Sequence, residues 1–169
     1  MLVGMMGSGK TTVGRAAARR LGWDFVDSDQ QVEARTGRTV AEIWRAEGEE
    51  GFRRFEKEAL ADALASTVDR PAVIAAAGGT VLDAGNRALL RLHPPVVWLR
   101  ARPETLAARI GSGQGGHRPL LDVDPAGALR RLSDEREPCY REVADHVIDV
   151  DDLPRHRVVD RVVEAVQPS

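Results

Sequence analysis

Residues Gly4-Met5-Met6-Gly7-Ser8-Gly9-Lys10-Thr11 fit the pattern G-x-x-x-x-G-K-[ST], set between an apolar Met1-Leu2-Val3 and a run of helix formers that ends at Leu21-Gly22. A strand, a tight glycine loop and a helix in that order build a cradle for phosphate. The glycines let backbone N–H groups turn inward around phosphate oxygens, and the helix N-terminus adds its positive dipole. Lys10 is a compact charge able to follow the β- and γ-phosphates, and the Thr11 hydroxyl is a hard oxygen suited to Mg²⁺. Of 24 basic residues only two, Lys10 and Lys57, are lysine, so a chain that otherwise chooses arginine places a lysine where a flexible point charge is wanted. Lys57, beside Glu56 and Glu58, reads as helix surface.

The rest of the chain continues the alternation that this P-loop begins. Trp23 to Val26 reads as a strand, and Gln30 to about Leu64 as helix broken at Gly37 and Gly48. Pro71 to Ala77 and Pro95 to Leu99 are apolar without alternation, the pattern of strands covered on both faces. Asp83 to Leu92, Pro103 to about Ile110, Pro125 to Val143 and a stretch from about His156 read as helices, with a strand near Val147 to Val150. Strands alternating with helices predict an α/β fold: a central parallel sheet of about five strands between two helical layers, in one domain spanning 1–169. Residues 111–118 hold many glycines and no hydrophobic anchor, and are expected to form a mobile loop. Met1–Val3 is short for a strand, so it is expected either to fray or to continue upstream.

Composition narrows the partners. A net charge of −2 and pI near 6.1 argue against nucleic acid or an anionic membrane as the main partner. No apolar run approaches a membrane span, and glycines and Lys10 follow the start too closely for a signal peptide. Cys139, alone, has no internal disulfide partner and is expected to be a small buried residue in a reducing compartment.

A guanine-binding motif is missing: the one asparagine, Asn86, is followed by arginine. The acidic residue with which motor ATPases close a later strand is missing too, since Ala72–Ala77 and Val96–Leu99 run into glycine and arginine. Acids instead follow the second strand, at Asp27 and Asp29, as in a kinase whose small acceptor sits beside the loop. In an extended segment both would face one way, one holding the metal's water shell and the other orienting an attacking hydroxyl. They would equally well cap the helix that follows. Both readings stand at this point. Arg53 shares a helix with Phe52 and Phe55, Arg118 sits in the glycine loop where it could reach a transferring phosphoryl group, and Arg136 is one of several arginines on its helix.

In order and spacing the whole chain resembles the shikimate kinases. The resemblance rests on Met6–Thr12, Asp27-x-Asp29, Thr36-Gly37-Arg38 with Ala41-Glu42-Ile43, and Gly48-Glu49-x-x-Phe52-Arg53-x-x-Glu56. It continues through Gly78-Gly79, Arg118-Pro119-Leu120-Leu121 and Arg136-x-Pro138-x-Tyr140. It implies a three-layer P-loop NTPase fold of the nucleoside-monophosphate-kinase type, with acceptor-binding helices near 30–64 and a mobile lid near 111–124. It also implies ATP-dependent phosphorylation of the shikimate 3-hydroxyl, Mg²⁺ as cofactor, and a cytoplasmic monomer acting in aromatic biosynthesis. The neighbouring possibilities are a gluconate-type or a nucleoside-monophosphate kinase.

Residue by residue, the resemblance implies ATP binding by Gly7, Ser8, Gly9, Lys10, Thr11 and Thr12, with Arg109 near the adenine and Arg118 on phosphate and acceptor. Asp29 would touch the acceptor hydroxyls and be the base, Thr11 and Asp27 would place Mg²⁺, Arg53 and Arg136 would grip the acceptor carboxylate, and Gly78, through its backbone, and Gly79 would line the acceptor site. Guanidinium forks suit a planar carboxylate. The chain departs from the family at Ala77, where a third glycine is usual and an added methyl is expected to crowd the backbone, and in the glycine-rich 111–117 segment, expected to loosen closure.

Overall fold

The computed structural model describes residues 1–111 and 124–167. The described residues form five strands and seven helices: β1 (Leu2–Val3), α1 (Lys10–Leu21), β2 (Asp24–Asp27), α2 (Ser28–Thr36), α3 (Val40–Ser66), β3 (Ala72–Ala75), α4 (Ala84–Leu92), β4 (Val97–Arg100), α5 (Pro103–Gly111), α6 (Pro125–Val143), β5 (His146–Asp149) and α7 (Arg155–Val166). A 3₁₀ turn, Thr80–Leu82, joins β3 to α4.

All strand pairs are parallel, and the order across the sheet is β2-β3-β1-β4-β5. Period-two alternation divides the strand side chains between two cores. Leu2, Val73, Val97, Leu99 and Ile148 face α1 and α7, against Val13, Ala17, Val159 and Val162. Val3, Ile74 and Trp98 face the opposite layer, against Leu60 of α3, Leu90 of α4, Leu106 of α5 and Leu129 and Tyr140 of α6. At Gly14 of α1 a Cβ would come within 2.7 Å of the Phe25 ring and 3.0 Å of Leu2, so glycine there lets the helix lie close on the sheet.

The two-residue β1 does not fray. It occupies the centre of the sheet, with Leu2 and Val3 both 1% exposed and register partners on each side, Ala75 in β3 and Val97 and Trp98 in β4. The Val97 N–H donates to Met1 O at 2.8 Å and the Ala76 N–H to Leu2 O at 3.0 Å. Flanking strands thus supply the hydrogen bonds that its length alone could not.

The long helical stretch resolves into α2 and α3. Glycine ends the first at Gly37 (φ 63°), and Thr39 and Glu42 form a reciprocal capping box that starts the second. Gly48, at φ 70°, kinks α3; Leu60, Ala63 and Leu64 near its end join the core of the sheet, while Ile43 before the kink and Phe52 and Ala59 after it pack with Val32 of α2 in a separate small cluster. Cys139 is half-buried rather than fully enclosed.

Strand order places the site. β2, β3 and β1 are neighbours, so the segments leaving their C-terminal ends converge: Asp27 onward, Ala76 to Gly79, and the glycine loop.

Candidate active site

The three segments form the floor of an open cleft of about 930 Å³. Backbone conformation dictates the glycines of the loop. Gly4 has φ 143°, and a Cβ there would run into the Leu99 carbonyl; Gly9, at φ 96°, is the N-cap of α1. Gly7 and the buried Ser8 complete the curve, with the Ser8 N–H donating to Met5 O at 3.2 Å. Lys10 reaches back over the loop, donating from Nζ to Gly4 O at 2.7 Å and Met5 O at 3.0 Å. Thr11 and Thr12 follow on the first turn of α1 and line the cleft.

The two readings of the aspartates prove compatible. The expected extended Asp-x-Asp segment is not observed, because β2 ends at Asp27 and α2 begins at Ser28. Asp27 caps α2, its Oδ1 accepting from the Asp29 N–H at 3.1 Å and the Gln30 N–H at 3.4 Å. Its other oxygen, Oδ2, accepts the Thr11 hydroxyl at 2.6 Å. One carboxylate therefore starts a helix and joins the phosphate loop, and Asp29 faces the cleft from the first turn of that helix.

Beyond the end of β3, Gly78 and Gly79 form the turn that leads into the 3₁₀ segment and make the floor of this part of the cleft. The Arg136 guanidinium lies over Gly78, its Nη1 3.4 Å from where a Cβ would stand, and Arg53 occupies the space that a Cβ on Gly79 would need. Arg136 is 2% exposed, and its Nε has no hydrogen-bond partner among the described residues. From the same helix, Tyr140 donates its hydroxyl to Gly78 O at 2.6 Å and stacks on Trp98. Burial pushes the Tyr140 hydroxyl pKa well up, so it stays a neutral donor.

Glu56 is a site residue that single-sequence reasoning did not select. It is 2% exposed and accepts from Arg53 Nη1 at 2.5 Å, while Glu49 accepts from Nη2 at 2.9 Å. Burial raises the Glu56 pKa to about 7 against the attraction of Arg53, and Asp29 adds to the rise while Arg136 opposes it. Burial alone would lower the Arg53 pKa, but the two glutamates hold it above its ordinary value. The available signal was an acid at the core-facing positions of α3, among Phe52, Ala59, Leu60 and Ala63. Trp44 and Phe52, rings 5.6 Å apart, wall the same side of the cleft, with Arg53 over the Trp44 ring.

At the opposite end Arg109 donates from Nη2 to Val150 O at 2.9 Å and from Nη1 to Gly7 O at 3.5 Å. It spans the phosphate loop and the end of β5. Ala77 is buried and its backbone does not take the left-handed conformation that would require glycine. Arg118 and the segment after Gly111 up to 123 lie outside the described residues.

Comparison with known proteins identifies the family. The shikimate kinase family model matches residues 6–167. A shikimate kinase from Symbiobacterium thermophilum is 52% identical over 169 residues, covering 99% of this chain and 95% of the relative. A solved structure of the Acinetobacter baumannii shikimate kinase in complex with shikimate superposes with TM-score 0.88 at 39% identity, covering 96% of this chain and 89% of that one. A gluconokinase from Sinorhizobium meliloti, at TM-score 0.55 and 21% identity over 97% of this chain and 89% of its own, shares the fold alone. Phosphate loop, twin-glycine floor and paired guanidiniums thus stand in a chain that, over nearly its whole length, belongs to the shikimate kinase family.

Proposed function

We propose that this chain transfers the γ-phosphoryl group of ATP to the 3-hydroxyl of shikimate, giving ADP and shikimate 3-phosphate. The observation that carries the reading is the pair Arg53 and Arg136, laid over Gly79 and Gly78 beside the phosphate loop. Two guanidiniums on a glycine floor suit a small acceptor with a carboxylate, and they line the same cleft as Asp29 and the phosphate loop.

In this reading Arg53 and Arg136 hold the carboxylate and Asp29 receives the proton of the attacking hydroxyl. A new oxygen–phosphorus bond forms as the bond between the β- and γ-phosphates breaks, and ADP leaves with the electron pair. The loop amides of Gly7, Ser8 and Gly9, with Lys10 and Thr12, hold the phosphates where charge accumulates. Arg109 lies along the base end. Arg118 is assigned to the transferring phosphoryl group and residues 111–124 to the lid on the resemblance alone.

ATP use by a kinase family implies a divalent metal, and Mg²⁺ is the ion proposed. Thr11 Oγ1 and Asp27 Oδ2, 2.6 Å apart, are hard oxygen donors of the kind Mg²⁺ takes together with phosphate oxygens and water. When bound, the ion neutralises charge on the phosphates.

Among the described residues no helix is long and apolar enough to cross a membrane. A single domain acting as a cytoplasmic monomer in chorismate biosynthesis is the cellular setting proposed.

Coupled ADP release with and without shikimate tests the function, with gluconate and nucleoside monophosphates as competing acceptors. Shikimate-dependent release is expected. Equal rates with and without it would leave a nucleotide-binding module, and preference for another acceptor would point to a gluconate-type or nucleoside-monophosphate kinase.

A further inference from the structure

β2 and β3 run in register from Asp24↔Ala72 to Asp27↔Ala75, and β2 then turns into α2. β3 continues beyond the last rung. Alternate N–H groups of a strand point to opposite neighbours. The Ala76 N–H finds Leu2 O in β1, so the Ala77 N–H faces the side that β2 has just left. No backbone carbonyl of β2 extends that far. The Ser28 hydroxyl takes its place, with Oγ accepting from the Ala77 N–H at 2.8 Å in a fully buried bond. Ser28 is 1% exposed.

We propose that Ser28 is a positioning residue for phosphoryl transfer: its hydroxyl stands in for the missing rung between β2 and β3 and holds Asp29 in register with the Gly78–Gly79 floor. Ser28 lies between Asp27, joined to the phosphate loop through Thr11, and Asp29, which faces the acceptor side. Ala77 immediately precedes the two glycines on which both guanidiniums lie, and Tyr140 also holds that segment through Gly78 O. One buried bond therefore joins the acid-bearing segment to the acceptor-bearing one. Ser28 acts through Asp29 and the floor, not on the reactants. A side-chain acceptor is required, because the chain must leave extended geometry at this point to begin α2.

The inference rests on the acceptor reading above, and its test has one arm that does not. Ser28→Ala removes the acceptor, Ser28→Thr keeps it, and Ser28→Cys offers a weak one where the alanine variant fails to fold. At saturating ATP and shikimate, below the melting temperature of each variant, Ser28→Ala is expected to lose about tenfold or more in kcat, since small displacements of reacting groups are costly. KM for ATP is expected to stay within about twofold, and Ser28→Thr to recover most of the rate. Amide exchange at Ala77 to Gly79, followed without substrate, is expected to speed up in Ser28→Ala and not in Ser28→Thr. A Ser28→Ala protein with a lowered melting temperature but wild-type kcat would overturn the proposal, as would threonine failing to rescue. Wild-type turnover independent of shikimate would overturn the acceptor reading instead, and the exchange comparison would still decide whether Ser28 holds the floor.

Discussion

The guanidinium of Arg53 donates to the buried carboxylate of Glu56 at 2.5 Å while covering the face of Gly79. The pair lines one side of the cleft. Burial disfavours Glu56 as an anion even with two arginines near it, so its ionisation falls within the range where the protein would work.

That ionisation predicts a stability trend. The folded-state pKa of about 7 lies above the ordinary value of 4.5, so between those limits the folded protein binds more protons than the unfolded chain. Stability from this group is therefore greatest below the ordinary value, falls as pH rises towards 7 and is flat beyond it. The slope approaches about 1.4 kcal/mol per pH unit at most. Glu56→Gln is expected to flatten the trend, measured as the difference in urea midpoint between wild type and variant at pH 5 and pH 8.

The dual role of Asp27 can be divided by Asp27→Asn. Asparagine caps helices about as well as aspartate, so stability should change by about 0.5 kcal/mol or less. The negative charge beside Thr11 is lost, and the Mg²⁺ concentration for half-maximal turnover should rise on the order of tenfold. An unchanged Mg²⁺ requirement would remove Asp27 from the metal site.

Glycine is needed unequally along the floor. Gly79→Ala would drive Arg53 from its place and should raise the shikimate KM at least about tenfold with little change in the ATP KM. Ala77→Gly touches neither guanidinium; it should leave both KM values unchanged and cost about 0.4–1 kcal/mol in thermal unfolding through a looser unfolded chain.

Arg136 is a buried cation whose Nε has no partner among the described residues, so its burial is expected to cost stability, and the proposed function makes it a ligand of the acceptor carboxylate. Arg136→Met fills similar volume without the charge and is expected to melt no lower than wild type while binding shikimate far more weakly. A destabilised variant with normal shikimate affinity would show Arg136 to be structural.

Asp29→Asn should abolish most turnover while ATP still binds, read by nucleotide titration alongside the coupled assay. Wild-type kcat in that variant would exclude Asp29 as the base.

Much of this was readable from local chemistry. The loop Gly4–Thr11 carries a pattern that physics ties to phosphate, and uninterrupted apolar runs marked β3 and β4. Glu56 was not selected because burial of an acid depends on where α3 lands, and one sequence does not show which face of a bent helix meets the core. Arg136 looked like its neighbours Arg131 and Arg141 for the same reason. Ser28 looked like a spacer, since its partner is 49 residues away.

The sequence by itself determined the phosphate loop, the alternation that leads to a parallel sheet, and the ordered motifs that place the chain in its family. These depend on residues close together along the chain. Tertiary structure alone decided that a two-residue β1 could serve as the central strand, because its neighbours on both sides complete its hydrogen bonds. It also decided that Glu56 is buried against Arg53 and how Asp27 serves helix and loop at once. Those outcomes are set by strand order, which brings the ends of β1, β2 and β3 together and makes side chains far apart in sequence compete for the same few buried hydrogen bonds.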